Sequence, residues 1–278
     1  MKMRVLTGAV IVAVLLPILF LSASLIYPIA LAIFCVAAVW EVLGVIGVKN
    51  QFSILIPSLF IGFCMPLFAY FAPDDNREVY IYALSAVLLI FMMYLFCVMV
   101  FRKGFLTYSK VAEIFMIVAY VTTSFTSLSL VRYLENGKFT FFLVFISAWG
   151  TDTAAYIFGS LFGKHKLIPE VSPKKTVEGS VGGILAAIGF FILYGFIVQW
   201  WTGGEIRSNF IVLPIYALVL SIVAQIGDLL ASVIKREYGV KDYGNILPGH
   251  GGIMDRFDSV MAVSTVTMIL CLVYPPFA

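Results

Sequence analysis

The sequence has 278 residues, of which 62% are hydrophobic and only 12% are charged, with a formal net charge of +3. Soluble domains carry about 25% charged residues. This composition therefore excludes a soluble globular protein and favours a protein of the lipid bilayer. The segments between the apolar runs are too short to form a separate soluble core, and no nucleic-acid partner is predicted.

Taken in chain order, the apolar runs predict nine transmembrane helices, because one helix needs about 20 apolar residues to cross the hydrocarbon core. The predicted helices cover residues 5–22, 26–47, 53–72, 79–101, 111–131, 139–162, 179–201, 210–234 and 253–275. The first is either a cleaved signal peptide or an uncleaved helix. The second interpretation is favoured, since about 17 apolar residues exceed a usual signal core. The predicted fold class is an all-α integral membrane protein.

The distribution of Lys and Arg predicts the orientation of these helices, because cytoplasmic loops are enriched in both residues. With the N-terminus in the cytoplasm, 13 of the 18 Lys and Arg residues fall on the cytoplasmic side and four on the other, and Arg256 begins the last helix. This arrangement places two charged, glycine-rich loops, 163–179 and 235–252, on the cytoplasmic face. An active site is predicted at that face of the membrane.

The two halves of the chain differ in where their charges lie. Residues 1–138 read as transmembrane scaffold, with one exception: Glu41, which either reaches the cytoplasmic interface or contributes to a site. Residues 139–278 are predicted to form the catalytic region together with the two loops.

Ionisable residues inside transmembrane segments are unfavourable and indicate function. The second half contains four such acids: Asp152, Asp228, Asp255 and Asp258. Asp228 shares a helical stripe with Ser232 and Lys235, since the three stand at i, i+4 and i+7. Two acids on separate helices can converge on one divalent cation, and oxygen ligands suit Mg²⁺. The alternative is that Asp228 pairs with Lys235 or Arg256 only to neutralise a buried charge.

The loop sequences favour binding of phosphate. Ser172 and Pro173 resemble an N-cap and first helical residue, which predicts that Lys174 and Lys175 occupy the first turn of a helix. Cations are disfavoured there unless an anion binds, and free N–H groups at a helix N-terminus bind phosphate. In the second loop, glycines let backbone amides approach a ligand, and His250 can donate to a phosphate. Positive-inside topology or anionic lipid is the alternative explanation for the lysines.

The segment "SVIKREYGVKDYGNILPGHGGIMDRFDS" at 232–259 resembles the signature of the phosphatidate cytidylyltransferases, or CDP-diacylglycerol synthases. The matching residues are Ser232, Lys235-Arg236, Lys241-Asp242, His250-Gly251-Gly252 and Asp255-Arg256-Phe257-Asp258. The upstream segment "WGTDTAAYIFGSLFGKHKLIPEVSPKKTVEGSVGG" is similar to a second region of the same family. The resemblance covers about residues 149–260.

This resemblance implies transfer of a cytidylyl group from CTP to phosphatidic acid, giving CDP-diacylglycerol and pyrophosphate. It implies that Asp228 and Asp255 hold the essential metal, Mg²⁺, with a second cation left open. We expect phosphate contacts from basic residues, with a triphosphate site around the histidine and its glycines: Lys174, Lys175, Lys235, Arg236, Lys241, His250, Gly251, Gly252 and Arg256. Ser232 is expected to contact substrate. Asp152 is expected to be a further ligand or to assist a lysine, and Asp258 to orient Arg256 or reach the metal.

Two other functions remain open from the sequence. A CTP-dependent lipid kinase would release CDP, and an ion-coupled transporter would place its acids at mid-bilayer. The expected location is the bacterial inner membrane, in contact with membrane lipids, and the resemblance also implies a homodimer.

Overall fold

The computed structural model describes residue 8, residues 13–71 and residues 77–278. Residues 13–20 are helical and are named α1 here. The longer helices that follow are α2 (Ile26–Val45), α3 (Phe52–Phe71), α4 (Arg77–Phe101), α5 (Tyr108–Tyr133), α6 (Gly137–Phe145), α7 (Thr151–Phe162), α8 (Val177–Trp201), α9 (Val212–Glu237) and α10 (Met254–Val273). A π-helical turn, Ile146–Gly150, joins α6 to α7, and two short strands, β1 (Lys166–Ile168) and β2 (Ser172–Thr176), precede α8.

Eight membrane spans are found among the described residues by length and composition, with α6, the π turn and α7 counted as one. They match the last eight predicted helices, so the prediction of an all-α integral membrane protein is confirmed. The helical state follows from the solvent, because a backbone in hydrocarbon must satisfy its hydrogen bonds within the segment. The predicted first span, 5–22, lies partly outside the described residues.

The outward helix surfaces are apolar, as contact with lipid requires. Phe101, Trp200 and Trp201 are respectively 84%, 81% and 78% exposed. The two tryptophans end α8, which is where aromatic residues collect at membrane–water interfaces. Two prolines lie inside α3, Pro57 and Pro66. Neighbouring helices make such residues tolerable within a membrane.

The chain divides into two compact units, the first formed by residues 1–130 and 242–255 and the second by residues 131–241 and 256–278. Two of the three boundaries fall inside α5 and α10, and the third falls in the loop between α9 and α10. In the first unit, side chains donate to the backbone of neighbouring helices: Tyr27 to the carbonyl of Leu128 at 3.1 Å, and Tyr94 to that of Ser53 at 2.6 Å. The predicted division at residue 138 concerns function and stays a prediction.

In the second unit, small residues bring α7 and α8 close together. A Cβ added to Gly182 would overlap Phe158, and one added to Gly183 would lie 3.0 Å from the carbonyl oxygen of Thr151. Close approach of backbones through small residues is typical of helix packing in membranes. The C-terminus closes this unit, since Arg207 and Ala278 exchange backbone hydrogen bonds of 2.7 and 3.0 Å.

The prediction that Ser172 and Pro173 begin a helix is wrong. β2 pairs antiparallel with β1, and Lys166 lies opposite Thr176. Helix α8 begins at Val177, because Thr176 is extended and its hydroxyl accepts a hydrogen bond from the Gly179 amide at 3.1 Å. This is an N-cap. Proline, which has no N–H donor, is tolerated in the edge strand of a hairpin. Lys174 and Lys175 therefore lie on a strand, outside the first turn of α8.

Candidate active site

Three of the four predicted acids come together in the second unit. Asp152 lies in the first turn of α7, Asp228 in the C-terminal part of α9, and Asp258 near the start of α10. Asp152 and Asp258 are both close enough to Asp228 for their negative charges to interact. Such interactions are stronger in a protein interior than in water. We call these three residues the acidic cluster.

Lys175 on β2 is the direct basic partner of this cluster. Its ammonium group forms an ion pair with the carboxylate of Asp228, and the side chains are 24% and 27% exposed, respectively. Lys175 also attracts Asp152, and Lys235, which lies on α9, attracts Asp258. The sequence had left open whether Asp228 pairs with Lys235 or Arg256; the structure identifies a partner on the hairpin instead. The sequence does not predict this pairing, because Ser172 and Pro173 favour a helix start where the structure has β2.

The acidic cluster is held by backbone and hydroxyl groups. Asp258 is only 7% exposed, and its Oδ1 accepts a hydrogen bond of 2.8 Å from the amide of Ser259. The hydroxyl of Ser259 is hydrogen-bonded to Asp152. Gly227 lets α9 approach α10, since an added Cβ would lie 2.9 Å from the carbonyl oxygen of Asp258. The relative positions of the acids are thus set by close helix packing.

A cavity of about 340 Å³ opens beside the cluster, between α7, β2, α8 and α9. The lining residues with polar side chains are Asp152, Tyr156, Ser160, Lys174, Lys175, Thr176, Ser180, Gln225 and Asp228. The N-terminus of α8 reaches this cavity, and the positive end of a helix dipole favours an anion. Two lysines and a helix N-terminus beside carboxylates form a site that can accept phosphate and a cation together.

The acidic cluster offers carboxylate oxygens, which are the ligands that a hard divalent cation prefers. Among the described residues, Lys175 pairs with Asp228 and Lys235 attracts Asp258, so the three carboxylates outnumber the two lysines beside them and a bound cation would add positive charge there. Mg²⁺ takes one or two carboxylates and completes its coordination with water and phosphate oxygens. Within the described residues, no three acidic, His or Cys side chains already form a metal-binding group. The pairing of Asp228 with Asp255 on one cation stays a prediction.

The remaining predicted residues of the second unit lie around the end of α9 and the start of α10. Ser232 and Lys235 are half-buried, whereas Arg236, Lys241 and Arg256 are exposed. Asp228, Ser232 and Lys235 all lie within α9, as the predicted helical stripe requires. The phosphate contacts assigned to these cations stay predictions.

The signature glycines and His250 lie in a loop of the first unit, residues 242–253, which we call the motif loop. Gly249 and Gly251 have φ values of +77° and +85°, which only glycine adopts readily. Leu247 and Gly251 form an isolated bridge, and the amide of His250 donates to the carbonyl of Leu247 at 2.9 Å. In the described part of the chain, the buried Nδ1 of His250 has no hydrogen-bond partner.

Asp255 organises the motif loop. Its Oδ2 accepts hydrogen bonds from the amides of Tyr243 at 2.8 Å and Gly252 at 2.9 Å. Gly251 also fits closely here, because an added Cβ would lie 2.9 Å from the same oxygen. The predicted role of Asp255 as a metal ligand is neither supported nor opposed by these contacts.

Glu41 is the residue that sequence reasoning left unresolved. It is 2% exposed, and its two carboxylate oxygens accept hydrogen bonds from the amides of Ile253 at 3.1 Å and Met254 at 2.9 Å. Its carboxylate is therefore buried and hydrogen-bonded within the first unit. The apolar sequence around Glu41 indicates that its carboxylate needs a partner. The sequence does not identify that partner, because Ile253 follows more than 200 residues later.

The sequence matches known proteins over almost its whole length. The model of the cytidylyltransferase family matches residues 2–274. A phosphatidate cytidylyltransferase of Staphylococcus epidermidis is 37% identical over 276 residues, covering 98% of this chain and 99% of that protein. Proteins of the same name from Staphylococcus haemolyticus and Bacillus subtilis are each 35% identical, covering 98% and 95% of this chain and 99% and 94% of their own lengths. This chain belongs to the cytidylyltransferase family.

Proposed function

We propose that this protein transfers a cytidylyl group from CTP to phosphatidic acid and releases pyrophosphate. The observation that carries the proposal is the cavity of the second unit, where Lys174, Lys175 and the N-terminus of α8 adjoin the acidic cluster. Both substrates carry phosphate. The relatives named above are phosphatidate cytidylyltransferases, and they match this chain over nearly its whole length. An apolar helical scaffold gives a lipid substrate access to such a site.

The reaction requires no catalytic serine or cysteine, because the lipid phosphate is itself the nucleophile. One of its oxygens attacks the α-phosphorus of CTP. A new P–O bond forms there, the bond from that phosphorus to the bridging oxygen of the β-phosphate breaks, and the electron pair leaves with pyrophosphate. Catalysis is therefore mainly positioning and stabilisation of charge.

The residues of this chain supply both contributions. Lys175 is held by Asp228 at the cavity wall, so its ammonium group is in place before a phosphate arrives. Lys174 lines the same cavity and is exposed, which suits it to attract an anion. The basic residues Lys235, Arg236 and Arg256 are proposed to contact phosphate groups as well, and His250 and its glycines to line the triphosphate.

Mg²⁺ is the proposed cofactor, held by Asp228 and Asp255, with Asp152 and Asp258 as further acidic groups. Bound there, it would stabilise negative charge on the phosphate oxygens. The support is the excess of carboxylate over lysine in the acidic cluster.

The chain has eight spans among its described residues, and we propose that it resides in the bacterial cytoplasmic membrane with its N-terminus inside. The 13 Lys and Arg residues on one side against four on the other support this orientation, which gives CTP access from the cytoplasm. A homodimer is proposed from the family resemblance, and the molar mass of the detergent-solubilised protein measured by light scattering tests it.

Product analysis tests the proposed reaction. Purified protein would be incubated with CTP, phosphatidic acid and Mg²⁺, and both products identified by mass spectrometry. CDP-diacylglycerol with pyrophosphate is the expected result. CDP with a doubly phosphorylated lipid would mean a kinase. Absence of any Mg²⁺-dependent product would overturn the proposal and make ion-coupled uptake into liposomes the next measurement.

A further inference from the structure

Glu41 is a buried carboxylate that the proposed reaction does not use. It lies in the last two turns of α2, an otherwise apolar helix, and it is 2% exposed. A buried carboxylate is unfavourable unless its oxygens are hydrogen-bonded. Its position therefore requires an explanation from the groups that surround it.

Those groups are backbone amides at the start of α10. Oε1 accepts from Ile253 at 3.1 Å and Oε2 from Met254 at 2.9 Å. The first N–H groups of a helix have no partner within the helix, and a negative charge is favoured beside them. A helix is usually capped by a residue adjacent to it in sequence. Here the capping residue is Glu41 of α2. It therefore fixes the start of α10 to a helix of the first unit that is distant in sequence.

Two glycines of the motif loop make room for this carboxylate. A Cβ added to Gly244 or to Gly252 would overlap the carboxyl group of Glu41. Neither glycine has a positive φ, so the backbone conformation alone would allow alanine. Glycine is required at both positions because Glu41 fills the space, and the loop closes around the carboxylate from two sides.

Glu41 and Asp255 accept hydrogen bonds from successive backbone amides of the same segment. The amide of Gly252 donates to Asp255, and the next two amides, of Ile253 and Met254, donate to Glu41. The three successive amides are thus held by two acids, which fixes the backbone that carries Asp255. We propose that Glu41 is a positioning residue for the cytidylyl transfer: it sets the backbone of Gly252 and the carboxylate of Asp255 without touching substrate. This inference rests on the proposed function.

The primary experiment compares Glu41→Gln with wild type in the full-length protein. The glutamine places an NH₂ group against one of the two amide donors, so one hydrogen bond is lost while size is kept. We expect kcat to fall about 10- to 100-fold, as for other residues that orient a ligand, the KM for CTP to change little, and the Mg²⁺ concentration for half-maximal rate to rise. Hydrogen exchange followed by mass spectrometry should show faster exchange in a peptide spanning 250–256.

Glu113→Gln is the matched control. Glu113 is an acid of the first unit, 23% exposed, and it pairs with Lys110 at 2.8 Å on α5. The variant removes the same charge, and we expect wild-type kcat, Mg²⁺ dependence and exchange at 250–256. If Glu113→Gln matched Glu41→Gln in all three, the effect would be general destabilisation and the inference would be overturned. Unchanged kcat and unchanged exchange in Glu41→Gln would also overturn it.

Gly244→Ala tests the same contact from the loop, which keeps the inference falsifiable if Glu41→Gln does not fold. The three described heavy atoms nearest to its Cβ all belong to the side chain of Glu41, so Gly244→Ala should lose activity and gain exchange at 250–256. In the double variant Glu41→Ala/Gly244→Ala the overlap is gone. The double variant should therefore be no less active than Glu41→Ala alone; multiplication of the two losses would overturn the inference. Failure of wild type to form CDP-diacylglycerol would instead refute the proposed function, and the exchange measurements would still judge the contact.

Discussion

The proposed Mg²⁺ would compete with Lys175 for the carboxylate of Asp228, and this competition predicts opposite effects of one substitution. Lys175 forms an ion pair with Asp228 at the wall of the cavity of about 340 Å³. In Lys175→Met the methionine keeps the length and the apolar contacts of the side chain but removes its charge. Phosphate binding should weaken, whereas the acidic cluster, now more negative, should bind Mg²⁺ more tightly.

Both magnitudes follow from the exposure of the pair and the type of bond lost. A hydrogen bond to a charged group contributes about 1.5–3 kcal/mol, so kcat/KM for phosphatidic acid should fall about 10- to 150-fold. The ion pair is about one quarter exposed on each side. Its strength therefore lies between that of a surface pair, about 0–1 kcal/mol, and that of a broken buried pair, about 3–5 kcal/mol. An intermediate value of about 1.4 kcal/mol corresponds to about tenfold tighter Mg²⁺ binding.

The assay is a titration of Mg²⁺ at saturating substrate concentrations, in which the rate of pyrophosphate release is measured. A second measurement, the binding of Mn²⁺ to the substrate-free protein, uses electron paramagnetic resonance. Lys174→Met is the control, because Lys174 lies on the same strand and lines the same cavity but is exposed. It should lower kcat/KM less and leave the Mg²⁺ requirement near wild type. A Lys175→Met protein that needs as much Mg²⁺ as wild type, or more, would refute the competition.

Three further predictions concern activity and stability. Asp228→Asn and Asp255→Asn should each abolish turnover while the protein still inserts into membranes, as judged by its yield in the membrane fraction; an active variant would remove that residue from the metal site. Thr176→Val should lower the free energy of unfolding by about 1 kcal/mol through loss of the α8 N-cap, measured as a lower Tm in detergent, and Thr176→Ser should remain near wild type. Gly227→Ala should cost about 1–3 kcal/mol by overpacking α9 against α10; an unchanged Tm would show that the two helices can separate slightly.

The membrane spans could be predicted from the sequence because the bilayer imposes one length and one polarity on every helix. The run at 111–131, for example, was predicted from hydropathy alone, and α5 extends from Tyr108 to Tyr133. Its ends were less well defined, because terminal turns are polar and hydropathy does not detect them. The unusual acids were also visible, since any carboxylate in an apolar run contrasts with its neighbours.

The partners of those acids could not be predicted, because pairing depends on contacts between distant elements. The sequence predicts correctly that Asp228 lies on a helix, α9. Its partner Lys175 lies on β2 of the hairpin, where Ser172 and Pro173 had predicted the start of a helix. A serine followed by proline fits both structures, and the pairing of β2 with β1 and the cap by Thr176 distinguish them. Glu41 stands out in the sequence as an acid in an apolar helix. Its hydrogen-bond donors are backbone amides, and because nearly every residue has such an amide, the sequence does not indicate which ones bind the carboxylate.

The π turn at Ile146–Gly150 determines which way Asp152 faces. A π turn accommodates one residue more than an α-helical turn, and each residue advances a helix by about 100°. Deleting one residue from 146–150 would allow a regular helix and would rotate everything after it by that angle, carrying Asp152 away from Asp228 without changing any side chain of the acidic cluster. The orientation of this acid is therefore encoded by the number of residues that precede it as well as by its own identity.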